Sequence, residues 1–461
     1  MKNQKGRNCL KLLTCVALLS GCAQIPKSAG FPDVQKIVRE RTNYRVHWNR
    51  GTPEDEKISQ TVKTLLSKEM TDKSAVQVAL LNNRSLQAIY EDLGISQAEV
   101  VSAGQLRNPE IFGMARFPTR GDFGYNLEFE GAVDFLDFLM IPARKQLAEG
   151  QFKRAKLLVG NEVFRLVSEV QSAYYTAVAA KQLAGVRQEI SKGAKSSFEL
   201  SKRMYEAGNL SDLDLANQQG AYESARIEWA KAETEALSTR ERLSTLLSLW
   251  GKDINWKVQN QLPAPPKNEM DLARLEALAV AQRLDLGAAR QESETIAHAL
   301  SIARQQGGIG SAEIGVSTER ETHGGWVLGP VLKFELPIFH QGQTKLSRLE
   351  SQLRQSELKY EAQAIEIRSD VRDLRNHLVA QRNLIEHHRK VMIPVRERIV
   401  ALTLKKYNFM LTGIFDLIAA KQNEFDVYQA YIEAIRDYWI TRAKLRLAVG
   451  GRLPGEKESK G

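Results

Sequence analysis

The side chains best suited to chemistry are few and poorly grouped. Cys9, Cys15 and Cys22 are the chain's three thiols. Two of them fall within the first 21 residues, so a chain processed before Cys22 has no pair for a disulfide and no thiolate cluster for a metal. His387 and His388 are adjacent, and neighbouring positions on a helix do not share a face, so they are a poor two-ligand metal site. Gly307-Gly308-Ile309-Gly310 is rich in glycine, but it precedes a strand-like run and lacks the Lys-Ser/Thr of a phosphate loop. No nucleophile motif is present. An enzyme is not expected, nor a cofactor. Any energy-requiring task must draw its energy from a partner.

The residues that can be chemically modified lie at the start. Lys2, Lys5, Arg7 and Lys11 precede the short apolar run Leu12–Ser20, which is too short to span a bilayer as a helix. This reads as a secretory signal over residues 1–21. Leu19-Ser20-Gly21-Cys22 resembles a bacterial lipobox. The resemblance implies that Cys22 becomes the first mature residue and carries a covalent lipid, with Ala23 favouring the outer membrane. Each buried methylene contributes about 0.8 kcal/mol, and several acyl chains hold firmly.

The elements behind these residues are mainly helical. The chain has 461 residues and a formal charge of +10; the four signal cations leave about +6 for the remainder. That excess is dispersed among acids, which disfavours nucleic acid as a partner. Glycine and proline are sparse and helix formers abound. No stretch after the signal reads as a membrane-spanning helix, so a crossing of the bilayer requires a β-barrel.

Residues 22–72 lack a sustained pattern and read as a lipid-proximal extended arm with one short helix. Residues 73–260 then form a first repeat. A helix from Lys73 to about Arg107 stops at Asn108-Pro109. Strands come next at about 110–117 and 124–134, joined through Pro118–Gly121. In the second, Tyr125, Leu127, Phe129 and Val133 alternate with Asn126, Glu128, Glu130 and Asp134, one apolar face and one wet face. A long helix begins after Pro142 and runs to about Tyr205, roughly 95 Å at about 1.5 Å per residue. Leu157, Leu158, Val163, Phe164 and Val167 give it a seam. After a break at Gly208-Asn209, Ser211 resembles an N-cap for a helix to about Trp250. A Pro-rich linker occupies 261–269.

Residues 270–451 repeat this order, with a tail at 452–461. A helix spans Asp271 to Arg304, and strands lie at about 309–319 and 326–336. A long helix from Gln341 to Tyr407 should bend or split at Pro394. A turn around Thr412-Gly413 leads into a last helix ending near Gly450-Gly451. The register supports duplication. Tyr205 and Asp214 match Tyr407 and Asp416, Glu128-Phe129-Glu130 matches Lys333-Phe334-Glu335, and Leu86 matches Leu286.

Several segments resemble the TolC-like outer membrane efflux proteins: Ala79–Leu86, Gly104–Pro109, Leu336–Phe339 followed by Gly342, and Met204–Gly208 with Asp214. The resemblance covers nearly all of the chain after Cys22. It implies a mainly α fold with a small β part: long antiparallel coiled-coil hairpins forming a periplasmic α-barrel, plus four strands given to a trimeric twelve-stranded transmembrane β-barrel. Four strands cannot close around a pore, and an open edge in lipid is forbidden, so chains must pool them.

The strand residues take sides in such a barrel. Tyr125, Leu127, Phe129, Val133, Trp326, Leu328, Leu332 and Phe334 are expected on the lipid face. Glu128, Glu130, Lys333 and Glu335 are expected in a lumen that mildly favours cations. The resemblance places the turns with Tyr205, Gly208 and Asp214, and with Tyr407, Gly413 and Asp416, at the periplasmic entrance that meets an adaptor protein. Asp416 matches an aspartate that lines the closed entrance; the bland alternative is an acid favoured by a helix N-terminus. The chain departs from the family at Ala419, where the family has a second aspartate, at Thr412, where an arginine can occur, and at Met410, where a glycine is usual.

The expected function is the channel of a tripartite efflux system in the bacterial outer membrane, working with an adaptor and an inner-membrane pump of the resistance–nodulation–division or ABC type. Asp134–Arg144 and Asn82-Asn83-Arg84 lean toward the heavy-metal branch. The alternatives are a type I protein-secretion duct and a helical periplasmic scaffold without a pore.

Overall fold

The computed structural model describes residues 25–119, 124–266, 272–306, 311–339 and 341–454. Cys22 and the signal lie outside these, as do Arg120-Gly121, Gly307-Gly308 and most of the tail.

The described residues begin with helices α1 (Phe31–Thr42) and α2 (Pro53–Leu66), then a two-residue strand β1 (Glu69–Met70). The expected extended arm with one short helix is thus corrected to two helices. Their signals are local. Thr52 precedes Pro53, whose missing N–H costs nothing in a first turn, and the Asp55 carboxylate accepts the Thr52 amide at 2.8 Å.

Helices α3 (Asp72–Asn82) and α4 (Arg84–Ala103) replace the single helix expected over Lys73–Arg107. Asn83 has the extended ψ of 118°, and its Oδ1 accepts the Leu86 amide at 2.8 Å, which caps the second helix. Strands β2 (Glu110–Arg116) and β3 (Asn126–Asp134) come next. Helix α5 (Phe135–Glu206) starts seven residues before Pro142, which lies inside it. The expected start after Pro142 fails because Asp134 caps the helix, accepting from the Leu136 and Asp137 amides at 3.0 and 3.2 Å. Proline then removes a single ladder bond from a helix that is about 108 Å long.

After α6 (Asp212–Leu246) and a 3₁₀ turn, β4 (Lys257–Val258) pairs in parallel with β1. Helices α7 (Leu275–Gln282) and α8 (Leu284–Gln306) divide at Arg283, again with an extended ψ, so the expected single helix over Asp271–Arg304 is also two. Strands β5 (Ala312–Arg320) and β6 (Trp326–Phe334) lead to α9 (Gln343–His387), a π-helical turn at His388–Met392, α10 (Ile393–Asn408) and α11 (Ile414–Ala448). The break expected at Pro394 is this π turn. The wider i→i+5 bonding, with the Ile393 amide on the His388 carbonyl, absorbs a proline that has no amide to give.

The chain divides into two compact units. One joins the N-terminal stretch to Pro32 with Glu91–Lys156 and Ala288–Tyr360, and holds the four-stranded sheet β2-β3-β5-β6. The other joins Asp33–Tyr90, Leu157–Gly287 and Glu361–Gly461. In this second unit Tyr174 donates from its hydroxyl to the Met70 carbonyl at 3.1 Å, fixing α5 on the β1–β4 pair. Val163, Phe164 and Val167 of the expected seam are buried there. Arg41 donates to the carbonyls of Gln282 (2.5 Å) and Gly450 (3.2 Å), closing α1 over the ends of α7 and α11. Among the described residues no helix is long and apolar enough to cross a membrane.

Candidate functional site

Two places hold the residues marked by the sequence: the four-stranded sheet and two helix-to-helix turns.

The sheet is antiparallel throughout, so directly opposed residues share a face. Phe129 opposes Gly113 and Thr318, and Thr318 opposes Leu328. Val133 opposes Ile314, which opposes Leu332. Tracing this register puts Leu127, Phe129, Val133, Trp326, Leu328, Leu332 and Phe334 on one face, as expected. Ile111, Ile314 and Val316 join them. Tyr125 precedes β3 rather than belonging to it, and its ring receives the Arg320 guanidinium at 3.9 Å from the hairpin end of β5.

The opposite face carries Glu128, Glu130 and Lys333. Glu110, Arg116, Asn126, Asp134, Glu313, Ser317 and Glu319 stand beside them, with Phe112, Met114, Val327 and Val331 interspersed. Glu335 follows the last residue of β6, and its amide bonds the Ser311 carbonyl at 3.1 Å, one step beyond the Ala312–Phe334 pair. Lys333 pairs with Glu130 across β5 and lies 4.0 Å from Glu313. Arg116 pairs with Glu128 at 3.3 Å, and Asn126 donates to Glu319 at 2.6 Å. Six acids thus meet two bases on this face. Sequence reasoning missed Glu110, Glu313 and Glu319 in this role; the alternation of Ile314 and Val316 with Glu313, Ser317 and Glu319 was the available signal.

The polarity of the sheet is reversed. Leu328 is 74% exposed and Ile111 82%, whereas Asn126 on the charged face is 7% exposed. A water-soluble sheet hides its apolar face and wets the other. Here the large apolar side chains are the uncovered ones.

The two helix turns lie in the second unit and close in the same way. In the first, the Gly208 amide bonds the Tyr205 carbonyl and the Asn209 amide that of Met204, both at 2.8 Å. In the second, the Met410 amide bonds the Tyr407 carbonyl and the Leu411 amide that of Lys406, both at 2.9 Å. Gly208 has φ +76°, and its counterpart Met410 has φ +60°, a left-handed conformation that costs a side-chain-bearing residue about 1–2 kcal/mol. Ser211 caps α6 as expected: its Oγ accepts the Asp214 amide at 3.2 Å and donates to the Asp214 carboxylate at 2.6 Å. Asp416 accepts from the Gly413 amide at 3.3 Å and from the Thr412 hydroxyl. Both aspartates therefore sit in first helical turns, where the dipole favours them. Tyr205 and Tyr407 are exposed on the rims of their turns.

The Asn82-Asn83-Arg84 segment has a structural task. Asn82 donates to the Leu247 carbonyl at 2.8 Å and Asn83 to the Leu246 carbonyl at 2.7 Å, satisfying the last turn of α6. Among the described residues no three His, Cys, Asp or Glu are grouped to hold a metal.

A family model described as "Outer membrane efflux protein" matches residues 75–249. Over that stretch the chain resembles the outer membrane efflux proteins. The chain is 24% identical to the cation efflux system protein CusC of Escherichia coli K12, over 96% of its own length and 99% of that relative. It is 24% identical to the probable efflux pump outer membrane protein TtgC of Pseudomonas putida KT2440, over 62% and 60% of the two chains. In fold it matches a crystal structure of CusC with TM-score 0.66 at 18% identity, covering 85% of this chain and 92% of that one. The Campylobacter jejuni CmeC outer membrane channel gives TM-score 0.67 at 13% identity, covering 92% and 93%.

Proposed function

We propose that this chain is the outer-membrane duct of a tripartite efflux system, a passive conduit fed by a periplasmic adaptor and an energised inner-membrane pump. The reversed polarity of the sheet carries this reading: an apolar, uncovered face suits lipid, and a charged face suits an aqueous lumen. The sheet is open at β2 and β6. An open edge in hydrocarbon leaves a row of unsatisfied backbone groups, so neighbouring copies must close it. Three chains pool twelve strands, a barrel intermediate between the small filled ones and the porins.

The helices support the same assembly. Val395, Leu402 and Phe409 stand exposed at seven-residue spacing along α10 and its end, with Leu384 and Val391 also exposed before them. Such a stripe suits the seam of a neighbouring helix. The turns holding Tyr205, Gly208 and Asp214, and Tyr407, Gly413 and Asp416, are the entrance that meets the adaptor. Asp416, already bonded to Thr412 and Gly413, serves there as a cap and contributes its charge to the rim. A lipid on Cys22 anchors each chain to the outer membrane. The pump is of the resistance–nodulation–division type. The cargo class is cationic, a reading favoured by six acids against two bases on the lumen face and by the name of the CusC relative.

Light scattering of the detergent-purified protein tests the assembly. Three chains per particle are expected, and a monomer at micromolar concentration overturns it.

A further inference from the structure

The reversed polarity does not stop where the strands end. Asp134 of β3 opposes Glu313, which opposes Lys333 of β6, so α5 and the segment after Phe334 leave the sheet at the same end. On the first turns of α5, Phe135, Phe138 and Leu139 are all more than half exposed. Their i, i+3, i+4 spacing places them on one helix face. The residue turned inward is an acid: Asp137 is 7% exposed and receives Arg144 at 2.5 and 3.2 Å and Arg107 at 3.4 Å. Across the same end, Leu336, Ile338 and Phe339 are exposed, Phe339 at 91%. A helix with its charge inside and its aromatic rings outside is arranged for an apolar surrounding.

We infer that these six residues form a collar that sits in the headgroup–acyl boundary of the periplasmic leaflet, so that the chain contacts lipid beyond its strands. This rests on the lipid-face reading of the sheet, with which the collar is continuous. The cations Arg107 and Arg144 behind it suit the phosphate level, where amphipathic side chains hold an apolar stem in lipid and a charge in water.

The test uses the full-length protein, processed and reconstituted in phosphatidylcholine vesicles. Phe138→Cys, Phe339→Cys, Val316→Cys and Ser317→Cys each carry a fluorophore on the introduced thiol, with the unsubstituted protein as labelling background. Quenching is read with lipids bearing a nitroxide at the headgroup or deep in the acyl chain. The collar predicts that positions 138 and 339 are quenched about twofold or more over position 317 on the charged face, and best by the headgroup probe. Val316, in the middle of β5, is quenched best by the deep probe. Quenching at 316 without quenching at 138 and 339 overturns the collar and leaves the lipid-facing sheet standing. Absence of quenching at all three overturns both.

Discussion

Glu130 of β3 and Lys333 of β6 form an ion pair over the intervening strand β5, on the charged face of the sheet. Lys333 also approaches Glu313 of β5 at 4.0 Å. One cation is thus shared between two carboxylates, and the acids around it outnumber the bases. Replacing Lys333 by Gln removes that cation and frees both carboxylates. The permeability ratio of K⁺ to Cl⁻, from reversal potentials in a salt gradient, should rise in Lys333→Gln and fall in Glu128→Gln. A ratio unchanged in both variants would detach the sheet's charged face from the conduction path.

Charges on the two faces should be tolerated very differently. Val316→Lys places an ammonium on the apolar face at mid-strand, where the cost is about 2–4 kcal/mol. Ser317→Lys, one residue on, faces the charged side and should fold normally. The urea midpoint of the reconstituted protein reads the difference; equal midpoints would contradict the assignment of faces.

Met410 holds the conformation that Gly208 holds in the other turn. Met410→Gly relieves the left-handed strain but frees the unfolded chain, for a net gain of about 0.5–1 kcal/mol. Met410→Ala keeps the strain and should leave stability near the parent. A rise in denaturation midpoint in the glycine variant alone is the expected result.

The Asp55 carboxylate accepts from His47 at 2.6 Å and from the amides of Thr52 and Arg50 at 2.8 and 3.0 Å. The His47 hydrogen bond is the main reason its pKa falls to about 2. A depressed carboxylate contributes stability above its unfolded value near 4, and that contribution is lost as pH falls through about 2. The α2 entry should therefore loosen between about pH 4 and 2. Asp55→Asn should lower stability at pH 7 and flatten this acid limb, measured by hydrogen exchange of residues 47–56.

Much of this architecture is legible in the residues. The period-two pattern of β3 and β6 separates the apolar face from the charged one before any register is known. It does so because a strand's two faces alternate with no dependence on its partners. The acids of β5 need the register, since Glu313 and Glu319 acquire meaning only beside Lys333 and Asn126. The start of α5 is hidden because Pro142 reads as a boundary, while the capping power of Asp134 depends on where the strand ends. The division at Asn83 is invisible because its side-chain bonds reach residues 246 and 86. Asp416 is a carboxylate at a helix start, which is equally a cap and a charge on an entrance, and no spacing rule separates the two.

A duct of this kind exists only if several copies pool their open sheets around water. Planar-bilayer recording of the purified, full-length protein tests that pooling most directly. Uniform, stepwise conductance with K⁺ preferred over Cl⁻, from particles of three chains, is the result expected. Monomeric particles that never conduct, under either polarity and across the voltage range, would contradict it.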